Sequence, residues 1–183
     1  MKKALVTGSA GFIGFHLAQL MLAQGWQVLG VDCLSDYYDV NLKKRRHAML
    51  LQSEGFSALE VDIREFAALE GPVMEFAPDG IVQLAAQAGV RYSIENPRAY
   101  METNVMGTFN IMELARELKV DHLLMASTSS VYGANEEMPF SETEKVDTQM
   151  TLYAATKKAN ENMGHSYSHL WELPVTMFRF FTV

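Results

Sequence analysis

Cysteine is nearly absent from this sequence, since Cys33 is the only one among 183 residues. A single thiol excludes an internal disulfide and agrees with a reducing compartment. Long apolar runs are also lacking: each is interrupted by Gly, Asp or Gln well before the roughly 20 residues that a membrane-spanning helix needs. We therefore expect a soluble, cytoplasmic protein with no membrane partner.

Positive charge is scarce as well. Lys and Arg number 15 against 22 Asp and Glu, which gives a formal net charge of −7 at pH 7. Binding to a phosphate backbone requires a basic face, so nucleic acid is not expected as a partner. The content of 49% hydrophobic and 20% charged residues is typical of a globular protein and excludes disordered, collagen-like and coiled-coil chains. The length fits one domain, and we expect a single domain over residues 1–183.

Short apolar runs rich in β-branched residues alternate with longer segments of helical periodicity. This alternation is typical of a parallel sheet covered by helices on both faces, so it predicts an α/β fold with a doubly wound parallel sheet. Strands are expected near residues 4–7, 27–32, 57–62, 80–84, 122–127 and 175–180. Helices are expected near residues 12–24, 42–53, 65–76, 97–118 and 153–171, with a break of the third helix at Gly71-Pro72.

A glycine-rich turn joins the first predicted strand to the first predicted helix. Gly8 permits a sharp turn, Gly11 lets the backbone approach a pyrophosphate, and Gly14 allows close packing. The N–H groups at the start of the helix, including those of Phe12 and Ile13, are available to anionic oxygen. The context predicts a dinucleotide-binding Rossmann site, and a merely tight turn between strand and helix is the alternative.

The second predicted strand ends in Asp32, where a carboxylate accepts hydrogen bonds from the hydroxyls of an adenosine ribose. The same carboxylate would repel a 2′-phosphate, so NAD is expected rather than NADP. A run of four cations, Lys43-Lys44-Arg45-Arg46, leaves an alternative open, because it could neutralise a 2′-phosphate if the loop folds back. A solvated helix face is the favoured interpretation of that run.

Tyr153 and Lys157 open a predicted helix, and their spacing places the phenol and the ammonium on one face. A neighbouring positive charge stabilises a phenolate, which can then remove a hydroxyl proton as hydride leaves carbon. Such a pair is common by chance and gains weight from the glycine turn. The hydroxyls of Thr128, Ser129 and Ser130 follow the fifth predicted strand, whose carboxyl end faces the ligand crevice.

Together these motifs resemble the extended short-chain dehydrogenase/reductase superfamily, and within it the nucleotide-sugar epimerases, closest to the UDP-glucuronate 4-epimerases. The resemblance covers nearly the whole chain and departs from the family at Gln83, where His is usual, and at Cys33, where Asn is frequent. It rests on the glycine turn, Asp62-Ile63, the segment 84–93, Asn104, the region of Thr128, Tyr153 with Lys157, and the segment 179–182. Members of the family continue well beyond this length, so the resemblance implies that the substrate domain is largely missing.

The resemblance also implies residue roles. Cofactor contacts are expected from Asp62 and Ile63 at adenine, from Lys157 at the nicotinamide ribose, from Asn104 behind the nicotinamide, and along the crevice from Leu84, Ala85, Ala86 and Gln87. Tyr153 would be the base, and Thr128 would bond the sugar hydroxyl that is oxidised. The carboxylate of a glucuronate would be held by Thr128, Ser129, Ser130 and Thr182, with a contribution from Arg91.

The triplet Thr128-Ser129-Ser130 separates related chemistries. The corresponding triplet resembles Thr-Asp-Glu in sugar 4,6-dehydratases and Thr-Ser-Glu in UDP-glucuronate decarboxylases. Elimination needs an acid and a base besides the tyrosine, and serine serves as neither at neutral pH. The expected activity is therefore NAD-dependent epimerisation at C4 of a UDP-sugar through a transient 4-keto intermediate. The alternative is an NAD-binding module, or a truncated remnant, without turnover.

The last predicted helix carries a pattern of side chains similar to that of a metal site. His165 and His169 lie one turn apart, with Glu161 a turn earlier, which resembles a helical metal site. Nothing else in the sequence supplies a converging ligand, so a solvated helix face is favoured and no metal is expected.

The family resemblance implies that the helices near 97–118 and 153–171 pair across a homodimer interface.

Overall fold

Six strands form one sheet in the computed structural model, which describes residues 1–182. The strands are β1 (Lys3–Thr7), β2 (Gln27–Val31), β3 (Phe56–Leu59), β4 (Gly80–Gln83), β5 (His122–Thr128) and β6 (Val175–Phe180). Their order is β3-β2-β1-β4-β5-β6, and every neighbouring pair is parallel. Successive strands are added on one side of β1 up to β3 and on its other side from β4 onwards. Sheets of this kind bind ligands at this point, between β1 and β4. The predicted doubly wound parallel sheet is confirmed.

Seven α-helices connect the strands within residues 1–182. They are α1 (Phe12–Ala23), α2 (Val40–Leu50), α3 (Phe66–Phe76), α4 (Tyr92–Glu95), α5 (Pro97–Tyr100), α6 (Thr108–Leu118) and α7 (Leu152–Trp171). A π-helical segment, Met101–Gly107, joins α5 to α6, and a 3-10 turn, Ser129–Tyr132, follows β5. Helices therefore cover both faces of the sheet, as the alternating pattern predicts.

The strands are apolar on both sides because both faces of the sheet are packed. Successive side chains of a strand point to opposite faces, so Leu5 joins the core under α3, α6 and α7, and Val6 joins the core under α1. Both side chains are completely buried. This double burial explains why β1 and β2 show runs of hydrophobic residues rather than alternation.

The third helix is not broken at Gly71-Pro72, so that prediction is wrong. α3 continues through Pro72 to Phe76. Leu69 and Val73, on either side of the proline, are completely buried and hold the helix against the core. Pro72 itself lies on the exposed face, where water can hydrate the carbonyl that loses its partner.

The region predicted as one helix over 97–118 is less regular than expected. Residues 97–100 and 108–118 are α-helical, but the seven residues between them form the π segment. Insertions of this kind occur frequently at functional sites, and this one carries Asn104. The predicted loop 86–96 also contains the short helix α4. No helix in residues 1–182 combines the length and apolar character that would let it span a membrane.

Candidate functional site

The glycine turn after β1 is packed so tightly that side chains do not fit. Gly8 has a φ of +70°, which favours glycine, and an added Cβ would lie 3.0 Å from the backbone nitrogen of Ala85. At Gly14 an added Cβ would overlap the carbonyl oxygen of Gly8. The N–H of Gly11 donates to that same oxygen at 3.0 Å. The turn, the close approach and the helix packing expected of the three glycines are all present.

This turn also exposes the start of α1. Gly11 is the residue before the helix, no side chain caps it, and the first turn of α1 contains no acidic residue. The first N–H groups, those of Phe12, Ile13 and Gly14, have no partner within the helix. With the positive end of the helix dipole they favour an anion, so the turn fits the pyrophosphate of a dinucleotide.

Asp32 follows β2 and is held in place by the backbone on both sides. Its Oδ2 accepts a hydrogen bond from the N–H of Ala10 at 2.9 Å, and its Oδ1 accepts one from the N–H of Leu34 at 2.8 Å. A carboxylate offers about four acceptor positions, so two remain for other donors. The carboxylate therefore has a fixed orientation at the edge of the crevice and free capacity for ribose hydroxyls.

A crevice of about 320 Å³ runs along the carboxyl ends of the strands. Its lining contains nine residues predicted to contact a cofactor: Gly8, Gly11, Asp32, Asp62, Ile63, Leu84, Ala85, Ala86 and Gln87. Phe12, Ile13 and Gly14 line an adjoining cleft that shares Gly8, Gly11 and Leu84. Residues from four loops thus surround one continuous space.

At one end of this crevice, Asp62 carries a negative charge. Burial would raise the pKa of its carboxyl, but hydrogen bonds from Arg64, including one of 2.8 Å from Nη2, outweigh burial and lower the pKa. The group therefore stays ionised at neutral pH and acts as an acceptor.

The four-cation run divides between solvent and crevice. Lys44 and Arg45 are exposed, as a solvated helix face requires, but Lys43 is buried and donates from Nζ to the carbonyl and hydroxyl oxygens of Ser35, both at 2.8 Å. The Arg46 guanidinium lies 5.6 Å from the centre of the Phe12 ring. The solvated interpretation is therefore wrong for Lys43, whereas Arg46 is half-buried beside Phe12. Their spacing from the buried Leu50, at seven and four residues, is the helical signal that could have identified them.

Asn104 is completely buried and acts on the crevice through the loop after β4. Its Oδ1 accepts from the N–H of Gln87 at 2.8 Å, and its Nδ2 donates to the carbonyl of Gln87 at 3.1 Å. Nδ2 also donates to the hydroxyl of Thr156 on α7 at 3.2 Å, and the Asn104 carbonyl accepts from Asn160 at 2.9 Å. The side chain therefore joins the π segment, α7 and the crevice loop.

Gln83, which replaces the family's usual histidine, supports the same loop from below. Its Nε2 donates to the carbonyl of Ala85 at 3.0 Å and to the hydroxyl of Thr108 at 3.1 Å, and its Oε1 accepts from Thr7. This substitution leaves the buried polar contacts satisfied.

Tyr153 and Lys157 lie on the face of α7 that packs against β5. The Nζ of Lys157 donates to the carbonyl of Ala126 at 2.8 Å, and burial lowers the pKa of this lysine to about 8. Burial also raises the pKa of Tyr153, while the hydroxyl of Thr128 opposes that rise. At pH 7 the phenol is therefore protonated, next to the residue predicted to bond the reacting hydroxyl.

The predicted substrate hydroxyls form a partly open cluster. Thr128 ends β5 and is buried, and its Oγ1 accepts from the N–H of Ser130 at 3.2 Å. Ser129 and Ser130 are half-buried and line a pocket of about 250 Å³. Arg91 and Thr182 are exposed and are not among the described residues that line it. The structure thus groups three of the five predicted substrate contacts.

Glu161 belongs to a cluster that sequence reasoning missed. Its carboxylate accepts from the hydroxyl of Ser127 at 2.6 Å and from Nε and Nη2 of Arg179, both at 3.0 Å. His165 and His169 are exposed, and no three metal-binding side chains converge anywhere in residues 1–182. Glu161 therefore ties α7 to the ends of β5 and β6. Its spacing of four from Lys157 was the available signal.

Comparison with known proteins places this site in context. The profile of the GDP-mannose 4,6 dehydratase family matches residues 5–183. A Rhizobium meliloti protein named "Probable UDP-glucuronate 4-epimerase" is 54% identical over 179 residues, which are 98% of this chain and 52% of that protein. The UDP-glucuronate 4-epimerase of Thermodesulfobacterium geofontis is 46% identical over 179 residues, covering 98% of this chain and 55% of the relative.

A solved structure is similar over the same region. The Bacillus cereus UDP-glucuronic acid 4-epimerase, crystallised with UDP-glucuronic acid and NAD, superposes with a TM-score of 0.90 at 32% identity, over 98% of this chain and 56% of that one. The chain thus spans about half the length of the relatives it matches. With a family profile that matches nearly its entire length, the chain belongs to the GDP-mannose 4,6 dehydratase family of extended short-chain dehydrogenases/reductases.

Proposed function

We propose that the chain is the NAD-binding and proton-transferring half of an epimerase that inverts C4 of a UDP-sugar, interconverting UDP-glucuronate and UDP-galacturonate. The observation that carries this proposal is the contact between the Tyr153 phenol and the Thr128 hydroxyl, with Lys157 one turn along α7 and bonded to the Ala126 carbonyl on β5. Three similar proteins are named as UDP-glucuronate 4-epimerases, one of them as probable, and these names support the choice of sugar.

The crevice residues fit NAD. The N–H groups at the start of α1 would hold the pyrophosphate, and Asp32 would accept from the ribose hydroxyls. Asp62 and Ile63 would face adenine, and Ala85, Ala86 and Gln87 would line the middle of the crevice. When bound, NAD supplies a hydride acceptor and, in its oxidised form, a positive ring beside the phenol.

Tyr153 is the group proposed to move the proton of the C4 hydroxyl. In its phenolate form it accepts that proton as the C4–H bond breaks, and it returns the proton to the oxygen when the 4-keto sugar is reduced on its other face. Lys157 lies one turn further on α7 and favours the phenolate by its charge. Thr128 would hold the oxygen of C4 within reach. Proton transfer of this kind is worth about 10²- to 10⁴-fold in rate.

The hydroxyl cluster is proposed to hold the sugar carboxylate. Thr128, Ser129, Ser130 and Thr182 would donate to it, with Arg91 as a neighbouring cation. The 4-keto intermediate of glucuronate is a β-keto acid, which loses carbon dioxide when its carboxylate is free to rotate. Fixing the carboxylate therefore protects the intermediate.

A second candidate function is a dinucleotide-binding module that turns over nothing by itself. Exposure favours it: Thr182 and Arg91 lie in the open, and Ser129 and Ser130 are only half-buried. Hydrogen bonds to a ligand made in open water contribute little net free energy.

A chimera tests the proposed function. Residues 1–183 would replace the matching half of the Bacillus cereus epimerase, whose unmodified form is the positive control. We expect conversion of UDP-glucuronate to UDP-galacturonate, with deuterium at C4 retained in the product. Tyr153→Phe should keep NAD binding and lose conversion by at least about a hundredfold. A chimera that binds NAD but converts nothing, or an active phenylalanine variant, would contradict the proposal.

We also propose a homodimer through the helices near 97–118 and 153–171. Met101, Met106 and Phe109 support it, since they are 47%, 54% and 37% exposed along one helical stretch. Light scattering should give twice the chain mass, and Met106→Glu should halve it; a monomeric unmodified chain would refute this interface.

A further inference from the structure

Two loops flank the glycine turn at the centre of the sheet. One follows β2 and spans residues 32–39, and the other follows β4 and spans residues 84–91. Because β2 and β4 pair with β1 on its two sides, the turn after β1 lies between the loops. A direct contact between the two loops therefore lies at the same edge of the sheet as the crevice.

Tyr37 makes that contact. Its ring lies 5.3 Å, centre to centre, from the ring of Tyr92, which follows the second loop. Its hydroxyl lies so close to Gly89 that a Cβ on this glycine would overlap it. Gly89 also has a φ of +93°, so glycine is required here by both conformation and space.

The bases of both loops are fixed, whereas the contact itself is peripheral. The buried Tyr100 donates from its hydroxyl to the carbonyl of Ala88 at 2.7 Å. Lys43 holds Ser35 on the other loop, and Asp39 accepts from the N–H of Asn41 at the start of α2. Tyr37 remains 43% exposed. The two rings can therefore separate without disturbing the bases of the loops.

The crevice lies beside this contact. Asp36 and Tyr38, the neighbours of Tyr37, line one side of it, and Ala86 and Gln87 line the other. We propose that Tyr37 and Tyr92 form a strap that closes over the bound dinucleotide and must open for NAD to enter or leave. This inference rests on the proposed function for the identity of the ligand. In an epimerase the strap would retain a cofactor that each turnover leaves unchanged.

A strap has a kinetic signature that distinguishes it from an ordinary contact. Removing it makes the open state more frequent, so association and dissociation both accelerate by a similar factor and Kd changes little. Loss of a direct contact with NAD would accelerate dissociation alone and weaken Kd. For an exposed aromatic pair the acceleration should be roughly two- to tenfold.

Stopped-flow fluorescence of NADH with the 183-residue chain tests the strap. Tyr37→Ala and Tyr92→Ala each remove one of the two rings of the strap, so each should increase the association and dissociation rate constants of NADH. The double variant should resemble either single variant. Phe178→Ala, which removes a comparably exposed aromatic on β6, is the matched control and should leave both rates unchanged.

The outcomes separate the strap from the proposed function. Unchanged rates in both tyrosine variants, or faster dissociation with unchanged association, would overturn the strap while leaving NAD binding intact. If one variant does not fold, the other still decides. Absence of NADH binding by the unmodified chain would overturn the proposed function and the strap with it.

Discussion

The centre of the sheet and its β6 edge differ in how completely the chain encloses them. In β1 and β2, four of the five residues are buried, whereas no residue of β6 is. Phe178 and Phe181, on and after β6, are 39% and 62% exposed. The glycine turn and Asp32 follow the enclosed central strands, and the hydroxyl cluster lies towards the exposed β6 edge.

This difference matters for binding. The dinucleotide crevice is formed by buried strands and by loops whose backbone is hydrogen-bonded, so its geometry exists before a ligand arrives. The groups proposed for the sugar lie towards the exposed edge strand β6, and Ser129 and Ser130 are only half-buried. We therefore expect these residues to bind the cofactor more tightly than a UDP-sugar.

The largest expected effect is the difference in stability loss when a side chain is truncated in the enclosed centre of the sheet and at its β6 edge. Leu5→Ala, in the enclosed strand β1, should lower the free energy of unfolding by about 2–5 kcal/mol, because it leaves a cavity in a packed core. Phe178→Ala, in β6, should cost less than about 1 kcal/mol, because the side chain is already in contact with water. Urea denaturation of both variants measures the contrast, and equal losses would remove the physical basis of the comparison.

The buried Lys157 gives the effect of intermediate size, which is a change of the free energy of unfolding with pH. Burial lowers its pKa to about 8 in the folded chain, whereas an unfolded lysine titrates near 10.4. Between these values the unfolded chain binds more protons, so stability rises with pH. Its contribution from pH 8 to pH 10 should be about 2 kcal/mol, and Lys157→Met should abolish it.

Denaturation curves of the unmodified chain and Lys157→Met, recorded at several pH values, isolate this term. The difference between the two proteins cancels the tyrosines, which titrate in the same range in both. Parallel stability profiles would show that the lysine is not held in a desolvating site.

The smallest expected effect concerns the choice of cofactor. Titration should show NADH bound more tightly than NADPH, because the oriented Asp32 carboxylate repels a 2′-phosphate. Asp32→Ala should narrow this preference, by about tenfold if one charge-assisted hydrogen bond is lost. Glu70→Ala, which removes an exposed carboxylate on α3 away from the crevice, is the control. Equal or stronger NADPH binding by the unmodified chain would refute the assignment.

Features that depend on local spacing could be predicted from the sequence. Strand and helix alternation, the three glycines and the residue at the end of β2 each involve neighbours in the chain, so the fold and the crevice followed from them. Contacts between distant segments could not be predicted. The Tyr37–Gly89 contact and the Glu161–Arg179 pair join residues that only the folded sheet brings together.

The break expected at Gly71-Pro72 also shows that local rules do not account for contacts made in the folded protein. A local rule assigns the proline a cost, but burial of Leu69 and Val73 in the core decides the outcome, and that burial is a property of the whole fold. The helical spacing from Leu50 places Lys43 and Arg46 on the inner side of α2. The charge of the run nevertheless favoured a solvated interpretation of all four residues.

Calorimetry of the 183-residue chain tests the central contrast most directly. The account predicts that NAD binds measurably, whereas UDP-glucuronate, with or without NAD, binds weakly or not at all, because the crevice is enclosed and the hydroxyl cluster is open. Micromolar affinity for UDP-glucuronate together with measurable turnover would contradict it, and would require a sugar site completed within these residues or across a dimer.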